Sequence, residues 1–236
     1  MASAELQHIS IIIPVLNEEG CLGVLLPHIS KHSAMQGALE VLVVDGGSTD
    51  RTVAVAKAHG AKVVLGEKGR AKQMNLGAQK ATGNILYFLH VDTLPPPHFD
   101  AQIVKAVQGG HQAGCFRMKF DDDSPFLRFF GWCTRINLLI CRGGDQSLFI
   151  CRALFTELGG FDAAYTVYED NEFIGRVYQR VPFKIVPSTV TTSARRYRKK
   201  GVIRLQFHFG IIHLKHFLGY PPQALYGHYS KYCALN

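Results

Sequence analysis

No apolar run in this sequence is long enough to cross a bilayer. Stretches such as Ile9 to Val15 fall well short of the roughly 20 residues that a spanning helix takes. No basic residue stands ahead of an apolar stretch at the N-terminus, which argues against a secretory leader. The six cysteines, at 21, 115, 133, 141, 151 and 233, never form C-x-x-C, so zinc ribbons and thioredoxin-type redox sites lose their support. Small buried thiols in a reducing cytosol are the expectation, and with it a cytoplasmic protein. The common nucleotide and hydrolase signatures are missing too. There is no G-x-G-x-x-G, no G-x-x-x-x-G-K-[ST], no G-x-S-x-G and no H-E-x-x-H, which disfavours dehydrogenases, P-loop enzymes, serine hydrolases and zinc proteases.

Acidic residues are absent from the last quarter of the chain. Glu172 is the last of them, and Phe173 to Asn236 carry 11 Lys or Arg and no Asp or Glu. Residues 1–172 therefore carry 15 minus 18, or −3, while the last 64 carry +11. Such an end suits an anionic partner, although a solvated basic face reads the same way. What remains is ordinary: 236 residues, 47% hydrophobic and 19% charged, enough for one large α/β domain with a full core.

The first hundred residues alternate regularly. His8–Val15, Leu39–Val44, Lys62–Leu65 and Ile85–Val91 are β-branched apolar runs that read as buried strands. Between them, Leu22, Leu25, Leu26 and Ile29, then Val53–His59, then Arg70–Lys80 carry helical spacing. Ser48 or Thr49 is placed to cap the middle helix. Strands separated by short helices mean βαβ units and a mostly parallel sheet flanked by helices. The second half reads as a helix over Phe99–Val107, a strand over Ala113–Phe120 and a helix over Pro125–Ile140. A short strand follows at Ser147–Cys151, then a helix over Glu169–Arg180, a strand over Phe183–Val186 and a last helix over Val202–Leu218, stopped by Pro221-Pro222.

Ligands of an open parallel sheet bind beyond the carboxyl ends of its strands. Three polar clusters fall there: Asn17-Glu18-Glu19, Asp45-Gly46-Gly47-Ser48 and His90-Val91-Asp92. Each alone is also good turn chemistry; three on one rim suggest a shared crevice. At strand period 2 the His90 and Asp92 side chains lie on one side and could share a divalent cation, Mg²⁺ or Mn²⁺, with a diphosphate filling the remaining positions. A core histidine beside a turn aspartate fits the same residues.

Ile11-Ile-Ile-Pro-Val-Leu-Asn-Glu-Glu19, Val43-Val-Asp-Gly-Gly-Ser-Thr-Asp50, Gly69-Arg-Ala-Lys-Gln-Met-Asn75 and Phe88-Leu-His-Val-Asp-Thr93 resemble successive motifs of family 2 glycosyltransferases. Leu158-Gly-Gly-Phe161 and Glu169-Asp170 match later motifs in order, so the resemblance covers roughly residues 8–200. The short length, the His-Val-Asp-Thr variant and Ser193–Tyr197 are similar to a bacterial subgroup named for arsenosugar biosynthesis. The resemblance implies the nucleotide-diphospho-sugar transferase fold, also called glycosyltransferase A. It implies a nucleoside pocket lined by Pro14, Asn17 and Glu18, with Asp45 on the base or ribose and Arg70 and Asn75 completing the site. It makes Asp92 the last carboxylate of an Asp-x-Asp metal motif, with His90 departing from the first, and Asp170 the catalytic base of the Glu169-Asp170 pair. Direct displacement at an anomeric carbon needs such a carboxylate, and the departing diphosphate needs cations, for which Arg195, Arg196 and Arg198 are placed. Asp145 and Gln146 form a polar turn that could touch sugar or acceptor. Asp121-Asp122-Asp123 reads as a solvated loop.

The expected protein is thus a single domain over residues 1–236. Residues 8–110 would form a nucleotide-binding half and 111–200 an acceptor and catalytic half, with a basic amphipathic helical segment over 201–236. It would be an inverting glycosyltransferase moving a sugar from a nucleotide diphosphate, UDP, to a hydroxyl acceptor. The basic segment could lie on an anionic membrane at the inner face, or equally close the core or a dimer. No motif supports nucleic acid. A nucleotidyltransferase of related fold is the rival enzyme, weakened by the acidic Asn17-Glu18-Glu19 where a triphosphate would sit. A non-catalytic nucleotide-sensing or membrane-surface module is the third reading.

Overall fold

Seven consecutive residues dominated by isoleucine and valine make β1 (Ile9–Val15), which is buried almost throughout at the middle of the sheet. The computed structural model describes residues 7–35, 37 and 39–234; the leader reading of the extreme N-terminus lies largely outside them. β1 is followed by α1 (Glu19–His32), β2 (Leu39–Asp45), α2 (Thr52–Ala58), β3 (Lys62–Leu65), α3 (Arg70–Lys80) and β4 (Ile85–Phe88). These four strands are mutually parallel in the order β3-β2-β1-β4, with Val15 beside Asp45 and Asp45 beside Leu65. The remainder is β5 (Thr93–Leu94), α4 (Phe99–Gln108), β6 (Ala113–Phe120), α5 (Pro125–Cys133), β7 (Leu148–Cys151), α6 (Arg152–Glu157), α7 (Glu169–Arg180), β8 (Phe183–Thr192), α8 (Arg195–Lys200), α9 (Val202–Phe217) and α10 (Pro222–Tyr232). The eight-stranded sheet continues from β4 as β7-β6-β8-β5, with β7 and β5 antiparallel to their neighbours and β6 parallel to β8. Reversal at β7 and again at β6 sets β6 parallel to β1–β4, so their carboxyl ends share one rim.

One face of the sheet buries its side chains under α1 and α4, with Leu22, Leu25, Ile103 and Phe99 against Ile11, Ile13 and Tyr87. The other face lies under α3, α6 and α7, with Met74, Phe155, Phe173 and Val177 against Ile12, Val44 and Phe88. No described helix is long and apolar enough to cross a membrane.

Several expectations shift. β4 ends at Phe88: Leu89 N still bonds Ile12 O at 3.1 Å, but the chain then turns, Thr93 N bonding His90 O at 3.1 Å. His90 and Asp92 therefore sit in a turn and not at strand period. The helix from Pro125 stops at Cys133 because Thr134 withdraws from it, its hydroxyl donating to Gly131 O at 2.7 Å and accepting from Met118 N at 3.0 Å. Such side-chain bonds compete with the helix ladder. Buried Arg142 then gathers the loop, donating to Thr134 O, Ile136 O and Gln146 Oε1 at 2.9, 2.5 and 2.6 Å. β8 runs on to Thr192, with its pairing to β6 shifting after Phe116–Val186 so that Pro187, which has no N–H to give, falls in the irregularity. Pro222 opens α10 where a stop was expected, since proline suits a first helical position. The middle helix is served by Asp50, whose Oδ1 accepts from Thr52 N at 2.9 Å, and not by Ser48 or Thr49.

Gly114 shows how tightly β6 is seated. A Cβ there would come within 2.3 Å of Lys184 O and 2.6 Å of the Phe149 ring. Backbone cannot yield as a flexible side chain can, so Gly114→Ala is expected to lower unfolding stability by about 2 kcal/mol, read as a lower urea midpoint with unchanged slope.

Candidate active site

The rim where β1, β2 and β4 end holds the three polar clusters together. Asn17, at φ 54, accepts from Thr49 N at 2.7 Å, and its own N–H donates to Ser48 Oγ at 2.8 Å, so the first two clusters are laced to each other. Asp45 is buried, and its Oδ2 accepts from the N–H groups of Gly47 and Ser48 at 3.0 Å each. Pro14 lies beside Val44 on the same pair of strands. The sequence reading missed Gln73, which is buried below the rim and donates from Nε2 to Val15 O at 2.8 Å and Val44 O at 2.7 Å. A glutamine on the inner face of α3 was the available signal.

Across the rim stands a cluster of charges drawn from distant segments. His90 Nδ1 lies 3.2 Å from Asp145 Oδ1 and His90 Nε2 lies 3.4 Å from Asp170 Oδ2. Gly144 makes room for that pairing: a Cβ there would fall 2.0 Å from Asp170 Oδ2 and 2.5 Å from His90 Cε1. Arg70, at the start of α3, lies 2.9 Å from Glu169 and 3.8 Å from Asp170. Arg195 holds Glu18 through both nitrogens, at 2.9 and 2.5 Å, and its Nε is 3.6 Å from Asp92. Arg196 sits over the Tyr229 ring at 5.8 Å.

Burial and the Arg70 charge pull the His90 pKa down, but the Asp145 and Asp170 carboxylates outweigh them and hold it raised, at about 10. Desolvation by the crevice walls pushes Asp145 up, although its side chain is 54% exposed, whereas His90, with Arg196 and Arg70 beyond it, brings it down to about 2. Burial raises Asp92, and the negative charge of Asp145 adds to it. Glu169 is raised by burial against the pull of Arg70.

His90 therefore stands between two carboxylates with both ring nitrogens engaged, in a turn and not at the strand period by which it was expected to share a cation with Asp92. Among the described residues no group of three or more His, Cys, Asp or Glu could hold a metal ion. Asp92 offers a hard oxygen donor, with the carboxylates of Asp145 and Glu18 and the cations His90 and Arg195 around it. Three other expectations are corrected. The Asn75 amide bonds Phe161 O at 2.7 Å and Phe161 N at 2.9 Å, bracing the Gly-Gly-Phe turn instead of reaching the charge cluster. Gln146 is buried and engaged by Arg142, Cys115 and Cys141 O, so it does not face sugar or acceptor. Arg198 is engaged by Asp121 at 3.1 Å, just past the carboxyl end of β6, and Asp121 also takes Ala194 N at 2.6 Å, so that loop is tied down by an ion pair and a backbone bond and not merely solvated.

Four buried side-chain polar atoms among the described residues lack a partner, and two of them, Asp45 Oδ1 and Glu169 Oε2, belong to this site. A buried acceptor without a donor costs about 1–3 kcal/mol, so each calls for an explanation. Donors on a bound ligand supply one.

Residues 10–150 match Glycosyl transferase family 2. The chain belongs to that family. A PGL/p-HBAD biosynthesis glycosyltransferase of Mycobacterium tuberculosis is 31% identical over 175 residues, 70% of this chain and 67% of the relative. An undecaprenyl-phosphate 4-deoxy-4-formamido-L-arabinose transferase of Pectobacterium atrosepticum is 26% identical over 216 residues, 87% of this chain and 62% of that one. Among solved structures, a mannosyltransferase of Pyrobaculum calidifontis in complex with GDP-Man and Mn²⁺ superposes with a TM-score of 0.67 at 20% identity, over 89% of this chain and 63% of that one. Glucosyl-3-phosphoglycerate synthase of Mycobacterium tuberculosis in complex with Mg²⁺ and UDP gives 0.65 at 19%, over 91% and 80%. These likenesses establish the glycosyltransferase A fold, with its mostly parallel sheet between helices. In this family-2 chain a histidine cation stands two residues before Asp92.

The ion pairs of His90 give stability a pH dependence. A histidine raised from 6.5 to about 10 on folding stabilises fully below 6.5, and its contribution is lost as pH rises toward 10. His90→Gln should remove the decline in stability across that window, read from urea midpoints measured at each pH.

Proposed function

We propose that this family-2 chain is an inverting glycosyltransferase that moves a sugar from a nucleoside diphosphate, UDP, to a hydroxyl acceptor. One observation carries the reading: a mostly buried carboxylate, Asp170, is held at the strand-end rim beside His90 and Arg70, with its oxygen in the space a glycine leaves open. The acceptor oxygen attacks the anomeric carbon from the face opposite the diphosphate, and its proton passes to Asp170. The bond from that carbon to the diphosphate oxygen breaks, and the electron pair leaves with the nucleotide.

Negative charge grows on the departing group, and positive side chains set in place beforehand are the economical way to stabilise it. Arg70, Arg195 and Arg196 are the cations of the rim; Arg195 would exchange Glu18 for phosphate. Asp92 would hold a divalent cation, Mn²⁺ or Mg²⁺, whose charge adds to theirs. Pro14, Asn17 and Asp45 would form the nucleoside pocket, with the orphan Asp45 Oδ1 taking a donor from base or ribose. In this reading residues 8–110 hold the donor, and 111–200 bring the base and the acceptor. The UDP and Mg²⁺ of one solved neighbour and the GDP-Man and Mn²⁺ of another support a nucleotide-sugar donor with a cation.

Asp170→Asn keeps the shape of the side chain and removes its basicity. It should lower kcat at least about 100-fold, within the range of a lost general base, while calorimetric affinity for UDP stays within about twofold. Normal turnover by this variant would exclude Asp170 as the base.

A further inference from the structure

Sixteen large apolar side chains are exposed among the described residues, and fourteen of them fall in two segments, seven within 126–140 and seven within 203–226. Monomeric surfaces rarely gather apolar residues in this way without a partner. On α5, Phe126, Phe129 and Trp132 repeat every three residues along the outward stripe, while Leu127 and Gly131 face the sheet. On α9, Leu205 and Ile212 are buried against α10, and Ile203, Phe207, Leu214 and Phe217 form the opposite, exposed stripe, with Phe217 84% exposed. A terminal helix that merely closed the core would not leave its second face apolar.

The two segments border the same site. The loop 139–141 packs on α7, and Asn171 Nδ2 donates to Arg142 O at 2.8 Å. From the other side, the Tyr168 hydroxyl meets His213 Nδ1 at 2.8 Å, one residue before Glu169. Phe120, just ahead of α5, touches the Tyr197 ring of α8 at 5.2 Å. Exposed apolar surface thus flanks the start of α7, which carries Glu169 and Asp170, on two sides.

The charges around it are mostly positive. Residues 124–144 contain three arginines and no acid, and residues 193–236 contain eight Lys or Arg and no acid. Beneath α5 a cleft of about 670 Å³ is lined by the four cations Arg117, Lys119, Arg128 and Arg135 together with Asp122 and Asp123, a net positive set. The Nε of Arg117 is buried without a partner. Self-association would press these like charges together, whereas a layer of anionic headgroups over hydrocarbon complements both the cations and the apolar stripes.

We infer that the face formed by α5, residues 134–141 and the exposed stripe of α9 docks on an anionic lipid bilayer, with its aromatic and aliphatic side chains at the headgroup boundary. This places the mouth of the site against the membrane surface, with no described helix crossing it.

The chain carries its own reporter, since Trp132 is its single tryptophan and is 54% exposed at the centre of the patch. Full-length protein would be titrated with vesicles of phosphatidylcholine and phosphatidylglycerol, and separately with phosphatidylcholine alone, without donor or acceptor. Trp132 emission is expected to shift to the blue with the anionic vesicles and to be quenched by brominated acyl chains. Partitioning should be at least about tenfold weaker on neutral vesicles and should fall as salt is raised. The double variant Phe129→Ser, Ile140→Ser changes only exposed side chains; it should melt as the wild type does and bind at least about tenfold less. Three results would each overturn the inference: no vesicle binding, binding without a change at Trp132, or burial of Trp132 by lipid-free self-association. UDP calorimetry on the same protein reports separately on the donor site, so a failed docking surface and a failed transferase reading are told apart.

Discussion

Charge balance at the carboxyl rim of the sheet is the constraint on which the rest of this molecule depends. Glu18, Asp92, Asp145, Glu169 and Asp170 converge on one crevice, several of them well withdrawn from water. Carboxylates in such a place repel one another and are stable there only if cations reach them. The cations come from far along the chain: Arg70 meets Glu169 across 99 residues, and Arg195 meets Glu18 across 177. The charge cluster thus exists only when the sheet, α7 and the basic segment after β8 are assembled together. The basic C-terminal region, which as sequence is only an excess of one sign, is in part the counter-charge of the site.

His90 is the centre of this arrangement. Placed in a turn and flanked by Asp145 and Asp170, it puts a cation where the resemblance leads one to expect a metal ligand. The glycine at 144 belongs to the same device, because any larger residue there would occupy the space of the Asp170 carboxylate. Asp45 Oδ1 and Glu169 Oε2 are each buried without a partner among the described residues.

Much of the first half was legible because its signals are local. Runs such as Ile9–Val15 cannot be satisfied except within a sheet, and the short helices between them force parallel order. The three rim clusters followed from topology alone. The second half depends on single residues acting at a distance. The Thr134 hydroxyl, engaged by Gly131 O and Met118 N, ends a helix that periodicity would have carried to Ile140, and Arg142 then holds the loop through the carbonyls of residues 134 and 136. The strand read over Phe183–Val186 is only the start of a longer one, which passes Pro187 at an irregularity in its pairing. Asn75 and Gln146 are polar residues in motif positions, and only the fold shows that backbone and Arg142 consume them. Nor does spacing reveal that His90 finds a carboxylate on each nitrogen, because Asp145 and Asp170 are 55 and 80 residues further on.

The account rests on a nucleotide site at this rim, and calorimetric titration of UDP with Mn²⁺ into wild type and Asp45→Ala tests it most directly. Saturable binding to the wild type, weakened at least about tenfold when the Asp45 carboxylate is removed, is the result the geometry predicts. No binding to the wild type, or equal affinity for both proteins, would contradict it and leave the rim clusters as turns alone.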